Sequence, residues 1–223
     1  MEQISHEQFE RLIKDAEVIE KDGFGLKVLD TKKGEMIKLF RRKRFFSTAL
    51  FKPYAIRFVD NAKKLTRLGI PTISINRLVW CGSIKRHIVI YERLEGELLR
   101  DVLTQSNTLV EDIYKQFGSF IATLHNKGVY FRSAHFKNIL VLPNGNLGLI
   151  DISDMQIKRH TLNIGLRQRN FEHILRYQED KKLIQSHFEA FTTAYMTRSQ
   201  LNENNALKIK QTIQTIIANT QES

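Results

Sequence analysis

Asn138-Ile139-Leu140-Val141-Leu142-Pro143-Asn144-Gly145-Asn146-Leu147-Gly148-Leu149-Ile150-Asp151 reads as two short apolar strands joined by a turn. Asn-Gly between apolar runs is a strong hairpin signal. Centring a two-residue turn on Asn144 and Gly145 sets Leu142 opposite Leu147, Leu140 opposite Leu149 and Asn138 opposite Asp151. An amide oxygen and a carboxylate then meet just outside the strands, with Cα atoms about 5 Å apart. Hard oxygen ligands from two chain segments suit Mg²⁺, which takes its other ligands from phosphate and water. Taken alone, the pair is more simply two turn residues that end strands.

Upstream of the hairpin, residues 5 to 20 read as a short acidic helix. Lys21-Asp22-Gly23-Phe24-Gly25 reads as a turn ahead of an extended segment, Leu26 to Leu29. Thr31-Lys32-Lys33-Gly34 turns the chain into a strand from Glu35 to Phe40, giving a small antiparallel sheet. Ala55, Phe58, Val59, Ala62 and Leu65 keep helical spacing from Tyr54 to Leu68, and Gly69-Ile70-Pro71 supplies the stop. Ile73 to Val79 and Ile88 to Tyr91 are strand-like. From Leu98 onward the chain turns helical. The longest helix starts near Thr108, which has capping-box spacing to Glu111, and Gly128 ends it; Val110, Ile113, Phe117, Phe120, Ile121 and Leu124 form its apolar stripe. Helices resume by about residue 163.

The chain has 223 residues with 35 Lys and Arg against 24 Asp and Glu, a net charge of +11. That length can bury a core without staples, and the single Cys81 excludes an internal disulfide or a Cys-rich zinc site. No apolar run is long enough to span a bilayer. The first residues carry neither a basic nor an apolar signal region, so a reducing cytoplasm is expected. The charge is concentrated: residues 27 to 77 hold 14 basic and 3 acidic side chains. Such a field draws phosphates of nucleotide, nucleic acid or anionic lipid, and by itself is equally a solvated surface.

In order and spacing these parts resemble a family. Asn138-Ile139-Leu140-Val141 followed by Leu149-Ile150-Asp151-Ile152-Ser153 resembles the catalytic-loop Asn and metal-binding Asp of protein-kinase-like folds. Lys38 in Met36-Ile37-Lys38-Leu39-Phe40 resembles the third-strand lysine. Tyr91-Glu92-Arg93-Leu94-Glu95-Gly96 resembles the hinge between lobes, and Leu124-His125-Asn126-Lys127-Gly128 the run into the catalytic loop. With no long activation segment, the chain is similar to the bacterial lipopolysaccharide-kinase group, which phosphorylates sugars of the lipid A core. Gly128-Val129-Tyr130-Phe131-Arg132-Ser133 and Leu149 to Met155 most resemble its toluene tolerance proteins.

The resemblance implies an α+β, two-lobed protein-kinase-like fold: a basic N-lobe of small antiparallel sheet and one main helix (1–91), a hinge (92–97) and a mostly helical C-lobe (98–223). It implies ATP and Mg²⁺ as cofactors, with Asn138 and Asp151 on the metal and Lys38 on the α and β phosphates. Gly23 and Gly25 would admit phosphate to the backbone, and Glu92 to Leu94 would offer backbone groups to adenine. Two positions depart from the pattern. The helix Glu that pairs with the lysine is replaced by Asn61, and five residues before Asn138, where such kinases place the proton-accepting Asp, stands Ser133. His135, with an ordinary pKa of about 6.5, is the nearby side chain suited to a base, with loop or phosphate contact ranked above that role. Arg132 reads as a loop brace.

By family analogy the basic run Arg41-Arg42-Lys43-Arg44, with Lys52, Arg57, Lys63, Lys64 and Arg67, would face anionic glycolipid at the inner face of the inner membrane. Three functions are thus carried forward: a phosphotransferase on a lipopolysaccharide-core sugar, a nucleotide- or partner-binding pseudokinase, and, ranked lowest, a basic nucleic-acid-binding module. Phe40, Phe45 and Phe46 keep the last alive.

Overall fold

The computed structural model describes residues 1–41, 53–105 and 110–219. Arg42 to Arg44, Phe45, Phe46, Lys52 and Thr108 lie outside the described residues, as does the side chain of Val110. The chain divides into two compact units, Met1–Leu94 and Glu95–Ser223.

The first unit is a six-stranded sheet with a helix on each face. Its elements are β1 (Glu2–Ile4), α1 (His6–Ile13), β2 (Glu17–Asp22), β3 (Gly25–Asp30), β4 (Glu35–Arg41), α2 (Tyr54–Arg67), β5 (Ser74–Cys81) and β6 (Arg86–Glu92). The strand order is β1-β5-β6-β4-β3-β2. The acidic helix expected over residues 5 to 20 is cut short. Ser5 and Gln8 close a capping box that starts α1, and Phe9 is buried, but the apolar spacing fails after Ile13. Glu17 to Asp22, carrying β-branched Val18 and Ile19, instead forms the exposed edge strand paired with β3. β1 was not legible: three residues pair in parallel with β5, so the sheet is mixed and not wholly antiparallel.

Alternation along β4 explains why both faces need cover. Ile37 and Leu39 point into a cluster with Phe9, Leu29, Val79, Ile88 and Ile90, beneath α1. Lys38 and Phe40 point the other way, toward α2, where the Phe58 ring packs 5.4 Å from Phe40 and 5.5 Å from Tyr91.

The second unit is helical around two nested hairpins. It comprises β7 (Glu97–Leu98), α3 (Leu99–Thr104), α4 (Val110–Asn126), β8 (Val129–Phe131), β9 (Ile139–Val141), β10 (Leu147–Leu149), β11 (Met155–Ile157), α5 (Ile164–Ile174), α6 (Gln178–Ser186), α7 (Phe188–Arg198) and α8 (Glu203–Ala218). α4 and α7 form the closest helix pair. Gly118 permits it: a Cβ there would sit 2.2 Å from the Phe191 carbonyl oxygen. Phe117 of α4 meets Phe191 on one side and, edge-on at 4.9 Å, Phe136 on the other.

The inner hairpin departs from its expected register by one residue. Leu147 pairs with Val141, Gly148 with Leu140 and Leu149 with Ile139. Gly145 N–H donates to the Leu142 carbonyl and Leu142 N–H to that of Asn146, each at 2.8 Å. The loop therefore spans Pro143, Asn144 and Gly145, a turn closed by Gly145 at φ +80°. Pro143 is the cause: its fixed φ suits the second position of a type I turn, which draws it into the loop. Asn138 consequently faces Ile150, whose N–H donates to the Asn138 carbonyl at 3.0 Å, and Asp151 lies one residue farther on.

Buried polar groups tie this unit together. His125 is fully buried, with Nδ1 2.9 Å from the Tyr195 hydroxyl and Nε2 3.1 Å from Asn170 Oδ1. Burial, reinforced by the Arg167 cation, holds its pKa down at about 3, so the ring is neutral in the folded chain. The unfolded chain takes up that proton below about pH 6.5, so this stability is complete above 6.5 and is lost as pH falls toward 3, at up to about 1.4 kcal/mol per pH unit. Denaturant titrations should show wild type losing about 2 kcal/mol relative to His125→Gln between pH 6.5 and 5.0. Parallel pH profiles for the two proteins would refute a buried neutral imidazole.

Candidate active site

In the second unit, β8 pairs with β11 outside the β9–β10 hairpin, so two loops run side by side: 132 to 138, and 150 to 154. Main-chain bonds close both ends, Ile150 N–H to the Asn138 carbonyl and Arg132 N–H to that of Asp154 at 3.2 Å. Arg132 adds a side-chain ion pair to Asp154, with Nε at 3.0 Å, and so braces the loops. Phe136, wholly buried against Phe117, anchors the 3₁₀ turn Phe136–Asn138.

Asn138 is oriented by this scaffold. Its Nδ2 donates to the Ser133 carbonyl at 2.9 Å and lies 3.4 Å from His135 Nε2. Asp151 adopts the left-handed conformation, φ 48° and ψ 48°, held between wholly buried Leu149 and Ile152. Few residues other than Gly tolerate that region, Asp and Asn among them, and such strain gathers where a side chain must be aimed. Both side chains act on His135, Asn138 by contact and Asp151 through its charge.

His135 has its pKa lowered, by burial first and then by the cations Arg176 and Arg100, with Asp151 opposing. It is neutral at pH 7. Its Nδ1 is buried and makes no hydrogen bond among the described residues. Ser133 is half-buried and contributes its backbone carbonyl to Asn138.

In the first unit, Lys38 is buried, 7% exposed, and its Nζ lies 5.3 Å from the Phe58 ring and 5.8 Å from Phe40. Lys38 is therefore not part of a solvated strand face. Asn61 is buried on the same helix as Phe58, while Asp60 is half-buried. Gly23 and Gly25 flank the tip of the β2–β3 hairpin; a Cβ at either would meet nothing within 4 Å, and Gly25 needs its positive φ of 107°. Phe24 between them is held by the Arg41 guanidinium, 3.3 Å from its ring centroid, and by Arg86, which donates to its carbonyl at 2.9 Å. Glu92 ends β6 with its side chain exposed, and Leu94 is half-buried at the end of this unit. Lys63, Lys64 and Arg67 are exposed on α2.

Two features were not found in the sequence. Asp180, in the first turn of α6, is fully buried, accepts from Arg100 Nε at 2.8 Å and sits 3.4 Å from the Phe136 N–H, so it holds the turn that carries Asn138. Burial pushes its carboxyl up, with Arg100 and the Phe136 N–H opposing. Arg176 and Tyr177, between α5 and α6, stand beside His135. Partners 42 to 80 residues apart leave no local pattern to read.

Among the described residues no group of three or more His, Cys, Asp or Glu could hold a metal ion. No described helix is long and apolar enough to cross a membrane. An amide oxygen with one carboxylate fits Mg²⁺, which needs few protein ligands once phosphate oxygens are present.

A crystal structure of WbdD aligns with TM-score 0.52 at 17% identity, covering 86% of this chain and 47% of that one. A second, described as the bifunctional kinase-methyltransferase WbdD, gives 0.52 and 17%, over 86% and 46%. This likeness shows the two-lobed, α+β kinase-like fold, and the chain spans about half the length of those structures. No curated protein matches the sequence. A family model for the lipopolysaccharide kinase (Kdo/WaaP) family matches residues 10–195, and the chain belongs to that family.

Proposed function

We propose that this chain is an ATP- and Mg²⁺-dependent phosphotransferase acting on a sugar hydroxyl of a lipid A-core precursor. The observation that supports the reading is the pair of braced loops, one carrying Asn138 held to the Ser133 carbonyl and the other carrying Asp151 in the left-handed conformation. When bound, Mg²⁺ supplies neutralisation of phosphate charge. Asn138 Oδ1 and the Asp151 carboxylate would hold it, and buried Lys38 would take the α and β phosphates. The open tip at Gly23 and Gly25 would admit phosphate to backbone N–H groups, and residues 92 to 97 would serve as hinge, with the backbone from Glu92 to Leu94 receiving adenine.

Ser133 is no base at neutral pH. His135, neutral and engaged with Asn138, serves to position that amide. Transfer then relies on positioning and charge neutralisation, which dominate phosphoryl transfer. Exposed Lys63, Lys64 and Arg67 supply part of a surface for peripheral contact with an anionic inner-membrane face.

Ser133 and Asn61 favour a second reading, a pseudokinase that binds nucleotide without turnover. Single-turnover assays with radiolabelled ATP and core oligosaccharide separate the two. Label should appear in the sugar under the phosphotransferase reading. Mg²⁺-dependent ATP binding with no transfer would establish the pseudokinase instead.

A further inference from the structure

Three cations converge on one aromatic ring beside the catalytic loop. The guanidinium carbons of Arg100 and Arg176 lie 5.2 Å and 5.1 Å from the Tyr177 ring centroid, and Lys137 Nζ lies 5.9 Å from it. The His135 ring meets Tyr177 edge-on at 5.1 Å. Arg100 is answered by acids: Nε and Nη2 reach Asp180 at 2.8 and 2.6 Å, and Nη1 reaches Glu179 at 2.6 Å. Lys137 and Arg176 are exposed, and among the described residues neither forms an ion pair.

A shared ring offsets only part of the mutual repulsion of such charges, about 0.5–1 kcal/mol per exposed contact. The two come from different segments, Lys137 from the 3₁₀ turn and Arg176 from the link into α6, so the fold brings them together and local sequence does not. A guanidinium fork, an ammonium and a phenol hydroxyl form a donor set for phosphate or carboxylate.

We infer that Lys137, Arg176 and Tyr177 bind an anionic group, phosphate or carboxylate, carried by the acceptor sugar. The inference rests on the phosphotransferase reading for what the site serves, and Lys137 is the immediate neighbour of Asn138. The bound anion would thus fix which hydroxyl of the acceptor lies at the transfer site.

The test is calorimetric titration of the full chain with glucose 6-phosphate, glucuronate and glucose, each with and without Mg²⁺ and a non-hydrolysable ATP analogue. Wild type should bind at least one anionic sugar about tenfold more tightly than glucose, and the preferred one distinguishes phosphate from carboxylate. The Lys137→Ala/Arg176→Ala double variant should lose that preference, Lys137→Arg should keep it, and affinity for the analogue should change by less than about twofold. Equal binding of the three sugars by wild type, a preference that survives in the double variant, or loss of analogue affinity alongside it would overturn the assignment. Failure of wild type to bind the analogue would instead remove the phosphotransferase reading, while the nucleotide-free titrations still decide the anion site.

Discussion

Phosphate transfer is expected to fall by at least about 10³-fold when Asp151 is replaced by Asn, with the fold intact. The choice of Asn matters because Asp151 sits at φ 48°, ψ 48°. Asn shares the tolerance of Asp for that region, so the substitution removes a charge without disturbing the backbone. Asp151→Val would confound the two, adding about 1–3 kcal/mol of strain to the chemical loss. Circular dichroism and melting temperature should therefore match wild type in Asp151→Asn while Mg²⁺-dependent ATP stabilisation disappears. Undiminished transfer with Asn at 151 would show that the carboxylate does not serve the metal.

The largest loss of stability is expected at Arg167. This side chain is 2% exposed, and its donors all reach acceptors: Nε to the Leu162 carbonyl, Nη1 to Tyr195 and the Ser199 carbonyl, Nη2 to Asn126 and Thr161. None of those acceptors is a carboxylate. The planar fork therefore ties α4, α5, α7 and the segment before α5 into one node by hydrogen bonds to neutral groups. Arg167→Ala leaves several buried acceptors unsatisfied and opens a cavity, at a cost of about 3–5 kcal/mol by denaturant titration. Arg167→Lys, which keeps charge and most of the length but not the fork, should recover less than half of that. The same node depresses His125, so in an Arg167→Lys protein that still folds, the acid limb should change little. In a neutral variant the His125 midpoint should rise. A loss below about 1 kcal/mol in Arg167→Ala would mean that the neighbouring groups find water or each other.

Much of the fold was legible because its signals are local. The helix from Tyr54 and the strands at Leu26 to Leu29 and Glu35 to Phe40 follow from spacing and turn chemistry, and the structure places α2, β3 and β4 over them. What failed was of two kinds. Val18 and Ile19 favour a strand that only pairing with β3 realises, and β1 exists through its parallel contact with β5, so neither is written in its own segment. At the hairpin the Asn-Gly signal was right about the reversal but wrong about its length, because Pro143 adds a third loop residue. Lys38, Asn138 and Asp151 entered the candidate site through their resemblance to kinase-like motifs. The residues that support Asn138 were not legible, since Asp180 and Arg100 meet across 80 positions of chain. Arg167 illustrates the same limit: a basic residue in a helix usually reads as surface, and only the surrounding acceptors explain its burial.

The most direct measurement is a crystal structure with Mn²⁺ in place of Mg²⁺ and a non-hydrolysable ATP analogue, read by anomalous scattering. An anomalous peak bonded to both Asn138 Oδ1 and an Asp151 carboxylate oxygen, at about 2.1 Å, is the predicted result. A peak bonded to neither side chain, with nucleotide present, would contradict the account.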